Sequence, residues 1–171
     1  MQTIVKTIIA AGALILSAEA AYSAAAPAPQ GLVARRDLSF DMAKTIAETA
    51  LRTCVAGGHS VSVHVVDRYG NTMVAFMGPG AAVHTFENSR RKAYTAMTFR
   101  RPSREFGERL AMGDSGAELQ LMLPNMSGQQ GGLPIRVGDD VVGGVGMSGS
   151  QGGMDEPCVQ SGIDAVAAQL R

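Results

Sequence analysis

Two apolar runs rich in glycine, near the C-terminus, constrain the fold of this chain most strongly. The runs at 131–135 and 141–149 flank Arg136-Val137-Gly138-Asp139-Asp140, which has the glycine and aspartates of a tight turn. Apolar runs joined by such a turn are typical of a β-hairpin. Glycines within a strand mark positions where another backbone or a ligand comes close. The second run contains four: Gly143, Gly144, Gly146 and Gly149.

The first 26 residues have the pattern of a secretory signal peptide. Lys6 supplies positive charge, residues 8–16 are an apolar run, and small residues before Pro27 offer cleavage sites. The run is far shorter than the roughly 18 apolar residues that favour a membrane-spanning helix, although an uncleaved anchor is the alternative interpretation. Residues 27–37 are interpreted as a flexible spacer and residues 38–171 as one domain. We therefore expect a periplasmic or secreted protein.

The charge balance and the motifs argue against several classes of function. The chain has 15 basic and 15 acidic residues, so nothing indicates a nucleic-acid surface. No segment beyond the N-terminus is long and apolar enough to span a bilayer, and we expect no stable membrane insertion. The run Gly146-Met147-Ser148-Gly149-Ser150 lacks the final glycine of a nucleophile elbow, and no P-loop or dinucleotide fingerprint is present.

The order of helical and strand patterns favours an α+β fold with a largely antiparallel sheet. Residues 118–123 suit either a helical turn or a strand. The first half of the domain is predicted to form a helix from an N-cap at Ser39 to about Val55, strands at 60–66 and 72–77, and a helix from an N-cap at Thr85 to about Phe99. A short helix at 104–112, the hairpin, and a last helix capped by Asp155 follow. The apolar stripe of the last helix extends to Leu170.

His84 is the candidate for cofactor chemistry among the three histidines. His59, His64 and His84 lack the spacing of a structural zinc site. His84 immediately precedes the predicted N-cap, where the positive end of the helix dipole disfavours imidazolium. A neutral imidazole is an axial ligand of haem iron, and Arg90, Arg91 and Lys92 follow one to two turns along as partners for propionates. The alternative is a loop histidine without a ligand.

The two cysteines have two interpretations. In an oxidising compartment, Cys54 and Cys158 are candidates for a disulfide, whereas two buried unreactive thiols are the alternative.

Several segments, in this order and spacing, resemble the GlcG/HbpS-like family of haem-binding and haem-degrading domains. Together they cover nearly all of residues 38–171. They are Ser60–Asp67 with the turn Asp67-Arg68-Tyr69-Gly70, the helix from His84-Thr85 to Lys92-Ala93-Tyr94-Thr95-Ala96, Gly131-Gly132-Leu133-Pro134-Ile135, Gly143–Gly149, and Asp155-Glu156-Pro157-Cys158.

The resemblance implies a profilin-like α/β sandwich, a largely antiparallel sheet flanked by helices, and a homo-oligomer. It also implies that the first and last helices pack antiparallel, which would bring Cys54 and Cys158 together as a disulfide. The function it implies is an exported haem-binding protein that buffers haem or senses redox state. The alternatives are a haem-degrading or peroxide-consuming enzyme, and an oligomeric accessory or small-molecule-binding protein without haem.

Overall fold

The computed structural model describes residue 31 and residues 33–171. The predicted signal peptide, residues 1–26, and most of the predicted spacer lie outside the described residues. The helices and strands are α1 (Phe40–Ala56), β1 (Ser62–Asp67), β2 (Thr72–Met77), α2 (Val83–Phe99), α3 (Ser103–Ala111), α4 (Ser115–Leu121), β3 (Gly132–Val137), β4 (Asp140–Ser148) and α5 (Asp155–Asp164), followed by a 3-10 turn at Ala167–Gln169.

One antiparallel sheet organises the domain, in the strand order β2-β1-β4-β3. Helices α1 and α5 contact each other and one face of the sheet, and α2 packs on the other face. The main core lies between the sheet and α1 with α5, where Ile46, Val63, Val145 and Val159 are fully buried. The predicted α+β fold with an antiparallel sheet flanked by helices is confirmed.

The glycines of β4 allow α2 to lie directly on the sheet. A Cβ on Gly146 would lie 2.3 Å from the carbonyl oxygen of Ser89, and one on Gly144 would lie 2.4 Å from that of Ala93. No side chain larger than hydrogen can occupy these positions without moving the helix. The close backbone approach expected from the glycine-rich run is therefore the contact between β4 and α2.

Cys54 and Cys158 are joined by a disulfide, with 5.6 Å between their Cα atoms. Cys54 lies in the last turn of α1 and Cys158 in the first turn of α5, and both are buried. The bond therefore links the first and last helices of the domain, as the family resemblance implies.

The predicted boundaries of α2, α3 and α5 differ from the structure, those of α3 by one residue at each end. Helix α2 begins at Val83, and its N-cap is Ala82. Thr85, the predicted N-cap, lies inside the helix, where its hydroxyl bonds to the Ala82 carbonyl and the Ser62 hydroxyl. Helix α5 ends at Asp164, before the 3-10 turn, and Asp155 is its first residue because Met154 occupies the N-cap. The segment left open in the sequence contains helix α4, whose N-cap Asp114 accepts from the backbone N–H groups of Gly116 and Ala117.

Within the described part of the chain, no helix has both the length and the apolar character needed to cross a membrane.

Candidate functional site

An open cleft of about 630 Å³ lies at the N-terminal end of α2. It is formed where the first turns of α2 meet the end of β4 and the start of α5. Its volume is in the range of pockets that bind small ligands. The lining residues are mostly polar and include His84, Asn88, Lys92, Ser148, Ser150 and Asp155.

A buried ion pair forms one wall of this cleft. Lys92 on α2 is 3% exposed and Asp155 on α5 is 4% exposed. Lys92 Nζ donates to Asp155 Oδ2 at 2.7 Å and to the Met147 carbonyl at 2.9 Å, while Asp155 Oδ1 accepts from the backbone N–H of Ser150. Both charges are therefore hydrogen-bonded, as buried charges must be to offset the loss of water. The pair ties α2, β4 and α5 together at the cleft.

Asn88 organises the opposite wall. Its amide nitrogen donates to Ser148 Oγ at 3.0 Å and to the side-chain oxygen of Gln129, and its own oxygen accepts from Ser127. These bonds join α2 to the end of β4 and to the segment before β3. The wall is thus held by side chains from three parts of the fold.

His84 lies exposed at the rim of the cleft, in the first turn of α2. The N-cap is Ala82, which has no side-chain cap, and the first turn contains no acidic residue. The first backbone N–H groups of a helix have no partners within it and carry its partial positive charge. The imidazole therefore stands at an uncapped, positive helix end.

Arg90 and Arg91 lie outside the cleft, on the solvent side of α2. Both donate to Glu87, Arg90 at 2.7 Å and Arg91 at 3.1 Å, and Arg90 also donates to Asn125. The hydrogen bond from Arg90, followed by that from Arg91, lowers the pKa of Glu87 to about 2. Two guanidinium groups and one carboxylate leave a net positive surface beside His84. Of the four predicted ligand residues, only His84 and Lys92 meet in the cleft.

His64 is a buried imidazole whose environment the sequence did not reveal. Because side chains alternate along a strand, it lies on the face of β1 opposite Val63, and its 2% exposure depends on α2 covering that face. His64 Nδ1 forms a hydrogen bond with Ser89 Oγ at 2.8 Å, and the same hydroxyl lies 2.8 Å from the Phe86 carbonyl oxygen. Burial, and then the charge of Arg90, lower the pKa of His64 to about 4. The ring is therefore neutral at pH 7.

A smaller cavity of about 300 Å³ lies between α2 and α3. The stacked rings of Phe99 and Phe106, with centroids 4.9 Å apart, contribute to its lining together with Arg101 and Arg109. None of the predicted ligand residues lines this cavity.

The described residues that line the cleft include one imidazole, that of His84, and no cluster of metal-ligating side chains. No group of three or more His, Cys, Asp or Glu side chains converges within 33–171. Haem iron is already held by its macrocycle and takes a single imidazole from the protein. The exposed His84 ring meets that requirement, and the apolar side chains of Val83 and Phe86, 85% and 39% exposed, lie on the same turn of α2.

Comparison with known proteins finds the same fold and a family match. A family model described as haem-degrading HbpS-like protein matches residues 38–164. The structure of a double mutant of Streptomyces reticuli HbpS is 33% identical, with a TM-score of 0.73, and the match covers 84% of this chain and 98% of that one. A structure described as a PduOC:heme complex is 25% identical, with a TM-score of 0.70, over 76% of this chain and 95% of that one.

A similar protein of Citrobacter freundii is uncharacterized. It is a 15.0 kDa protein of the dhaT-dhaS intergenic region, 32% identical over 133 residues, which cover 74% of this chain and 90% of that protein.

Proposed function

We propose that this chain, which belongs to the HbpS-like family of haem-degrading proteins, binds haem at the N-terminal end of α2 with His84 as its iron ligand. The observation that carries the proposal is the exposed His84 imidazole at the rim of the cleft. A similar fold occurs in a haem complex, that of PduOC. Bound haem supplies a redox-active iron centre.

The residues around His84 have separate roles in this proposal. Val83 and Phe86 supply apolar contacts for the macrocycle. Arg91 is seven residues beyond His84, so the two lie on the same side of the helix, about 10 Å apart along its axis. Arg91 therefore presents positive charge to a propionate, and Arg90, which shares the Glu87 carboxylate with it, adds positive charge on the adjoining side of the helix. Lys92 is held by Asp155 and shapes the cleft.

A haemin titration of histidine variants tests the assignment of the iron ligand. His84→Ala is expected to weaken binding and to shift the Soret band, because the protein loses its imidazole ligand. His59→Ala is the matched control, since His59 lies in the turn after α1 and outside the cleft, and it is expected to keep the wild-type spectrum. Equal spectra and affinities for wild type and His84→Ala would refute the assignment. His64→Ala, measured in parallel, then shows whether the buried imidazole is the ligand.

Haem degradation is a second candidate function, which the description of the family favours. If the protein degrades haem, bound haem is expected to lose its Soret band and release iron when ascorbate or peroxide is added. A buffering or redox-sensing protein keeps its haem under the same conditions. The two outcomes separate an enzyme from a binding protein.

We also propose that residues 1–26 direct export and that the mature chain is periplasmic or secreted. The proposal is supported by Lys6, the apolar run at 8–16 and the small residues that follow. Mass spectrometry of exported protein is expected to find a first residue between about Ala21 and Pro27. Exported protein that retains Met1 would refute this.

A further inference from the structure

We infer that the cleft at the N-terminal end of α2 binds the carboxylate group of an organic acid. The inference goes beyond haem coordination, because it concerns the polar groups inside the cleft and not the iron ligand. It rests on the hydrogen-bonding groups that the folded chain leaves without partners there.

Three side chains that line the cleft have unused donor hydrogens. Ser148 is 4% exposed, and its Oγ accepts from Asn88 but has no acceptor for its own hydrogen among the described residues. Ser150 Oγ is buried and has no hydrogen-bond partner in the same part of the chain. Lys92 Nζ uses two of the three hydrogens that an ammonium group carries. Buried donors without acceptors cost free energy, which a ligand recovers by accepting from them.

The strongest acceptors of the cleft are already occupied. Asp155 accepts from Lys92 through one carboxylate oxygen and from Ser150 through the other. Gln129 accepts from Asn88 through its side-chain oxygen. The unused hydrogens of Ser148, Ser150 and Lys92 therefore complement a ligand that is rich in acceptors.

The charge of the cleft favours a monoanion. Lys92 and Asp155 neutralise each other, and the remaining positive charge is the partial charge of the uncapped end of α2, roughly half an elementary charge. Backbone N–H groups at such an end bind carboxylates and phosphates. A carboxylate brings one negative charge close to Asp155, whereas a dianionic phosphate brings two and is repelled more strongly.

The volume of the cleft leaves room for more than the carboxylate itself. Two sources have the required chemistry: a free organic acid of small size, and a propionate of haem coordinated near the rim. Both present the same two oxygens to Ser148, Ser150 and Lys92.

NMR of the haem-free mature protein, titrated with sodium propionate at constant ionic strength, tests the inference. Saturable shifts are expected at the backbone amides of residues 83–85 and 149–150. Ser150→Ala is expected to weaken binding about tenfold, the effect of removing one hydrogen bond to a charged group. Ser115→Ala, at an exposed position outside the cleft, is the matched control and is expected to bind like wild type.

Three results would overturn the inference: shifts that do not saturate, phosphate binding more tightly than propionate at the same amides, or unchanged affinity in Ser150→Ala. Titrations with haemin and with its dimethyl ester show whether the carboxylate belongs to haem or to a free organic acid. Competition between propionate and haemin, together with weaker binding of the ester, supports a haem carboxylate as the ligand. Saturable propionate binding in a protein that does not bind haemin supports a free acid and rejects only the proposed haem function.

Discussion

Among single residues, His64 couples folding to pH. Its pKa is about 4 in the folded protein, and an unperturbed histidine titrates near pH 6.5. Between these values the unfolded chain binds more protons than the folded one. The neutral His64 ring therefore contributes fully to the free energy of unfolding above about pH 6.5. As the pH falls towards 4, this free energy decreases by on the order of 3 kcal/mol.

Urea unfolding of wild type and His64→Gln, followed by circular dichroism across this pH range, measures the effect. The variant is expected to lose less stability on acidification than wild type, and His59→Gln, the control, is expected to behave like wild type. Parallel pH profiles for wild type and His64→Gln would contradict the account of this buried imidazole.

Individual side chains show which contacts local sequence rules can predict. Ser39 caps α1 as expected, because its hydroxyl accepts from the backbone of Met42 three residues away. Thr85 has an equally suitable side chain, but its hydroxyl bonds to Ser62 on β1. Lys92 forms an ion pair with Asp155, 63 residues away, which the sequence did not predict. The local cap of α1 was predictable from neighbouring residues, whereas these two contacts between distant segments were not.

Among elements, the contact between β4 and α2 determines where the cleft lies. A Cβ on Gly146 would lie 2.3 Å from the carbonyl oxygen of Ser89 and 2.5 Å from the backbone nitrogen of Ala93. Both atoms belong to the backbone of α2, so the helix itself would have to shift. Gly146→Ala is therefore expected to destabilise the domain by about 3 kcal/mol, at the upper end of overpacking effects. Thermal unfolding measures this, and it is best followed by circular dichroism because the chain has no tryptophan.

Gly116→Ala is the control for this prediction. Its Cβ would approach only side-chain atoms, Asp114 Oδ1 at 3.1 Å and Arg109 at 3.9 Å, and alanine favours the helix in which it lies. It is expected to unfold at or slightly above the wild-type temperature. If Gly146→Ala unfolded at the wild-type temperature too, the close packing of α2 on β4 would be wrong.

At the scale of the whole molecule, exposed apolar side chains indicate self-association. Met112 at the C-cap of α3, Leu119 on α4 and Met122 at the C-cap of α4 are 77%, 68% and 81% exposed. Contact with a second chain would bury such apolar side chains, and the family resemblance implies a homo-oligomer. Light scattering of the mature protein is expected to report a multiple of the chain mass, reduced in Leu119→Glu. A monomer at micromolar concentration in wild type would contradict this.

A haemin titration of the wild-type mature protein is the decisive experiment, because every role proposed for His84 requires the chain to bind haem. Binding is expected to give a saturable Soret band that differs from that of free haemin, with an endpoint at one haem per chain. A spectrum that remains the sum of protein and free haemin at every ratio would show that the chain does not bind haem.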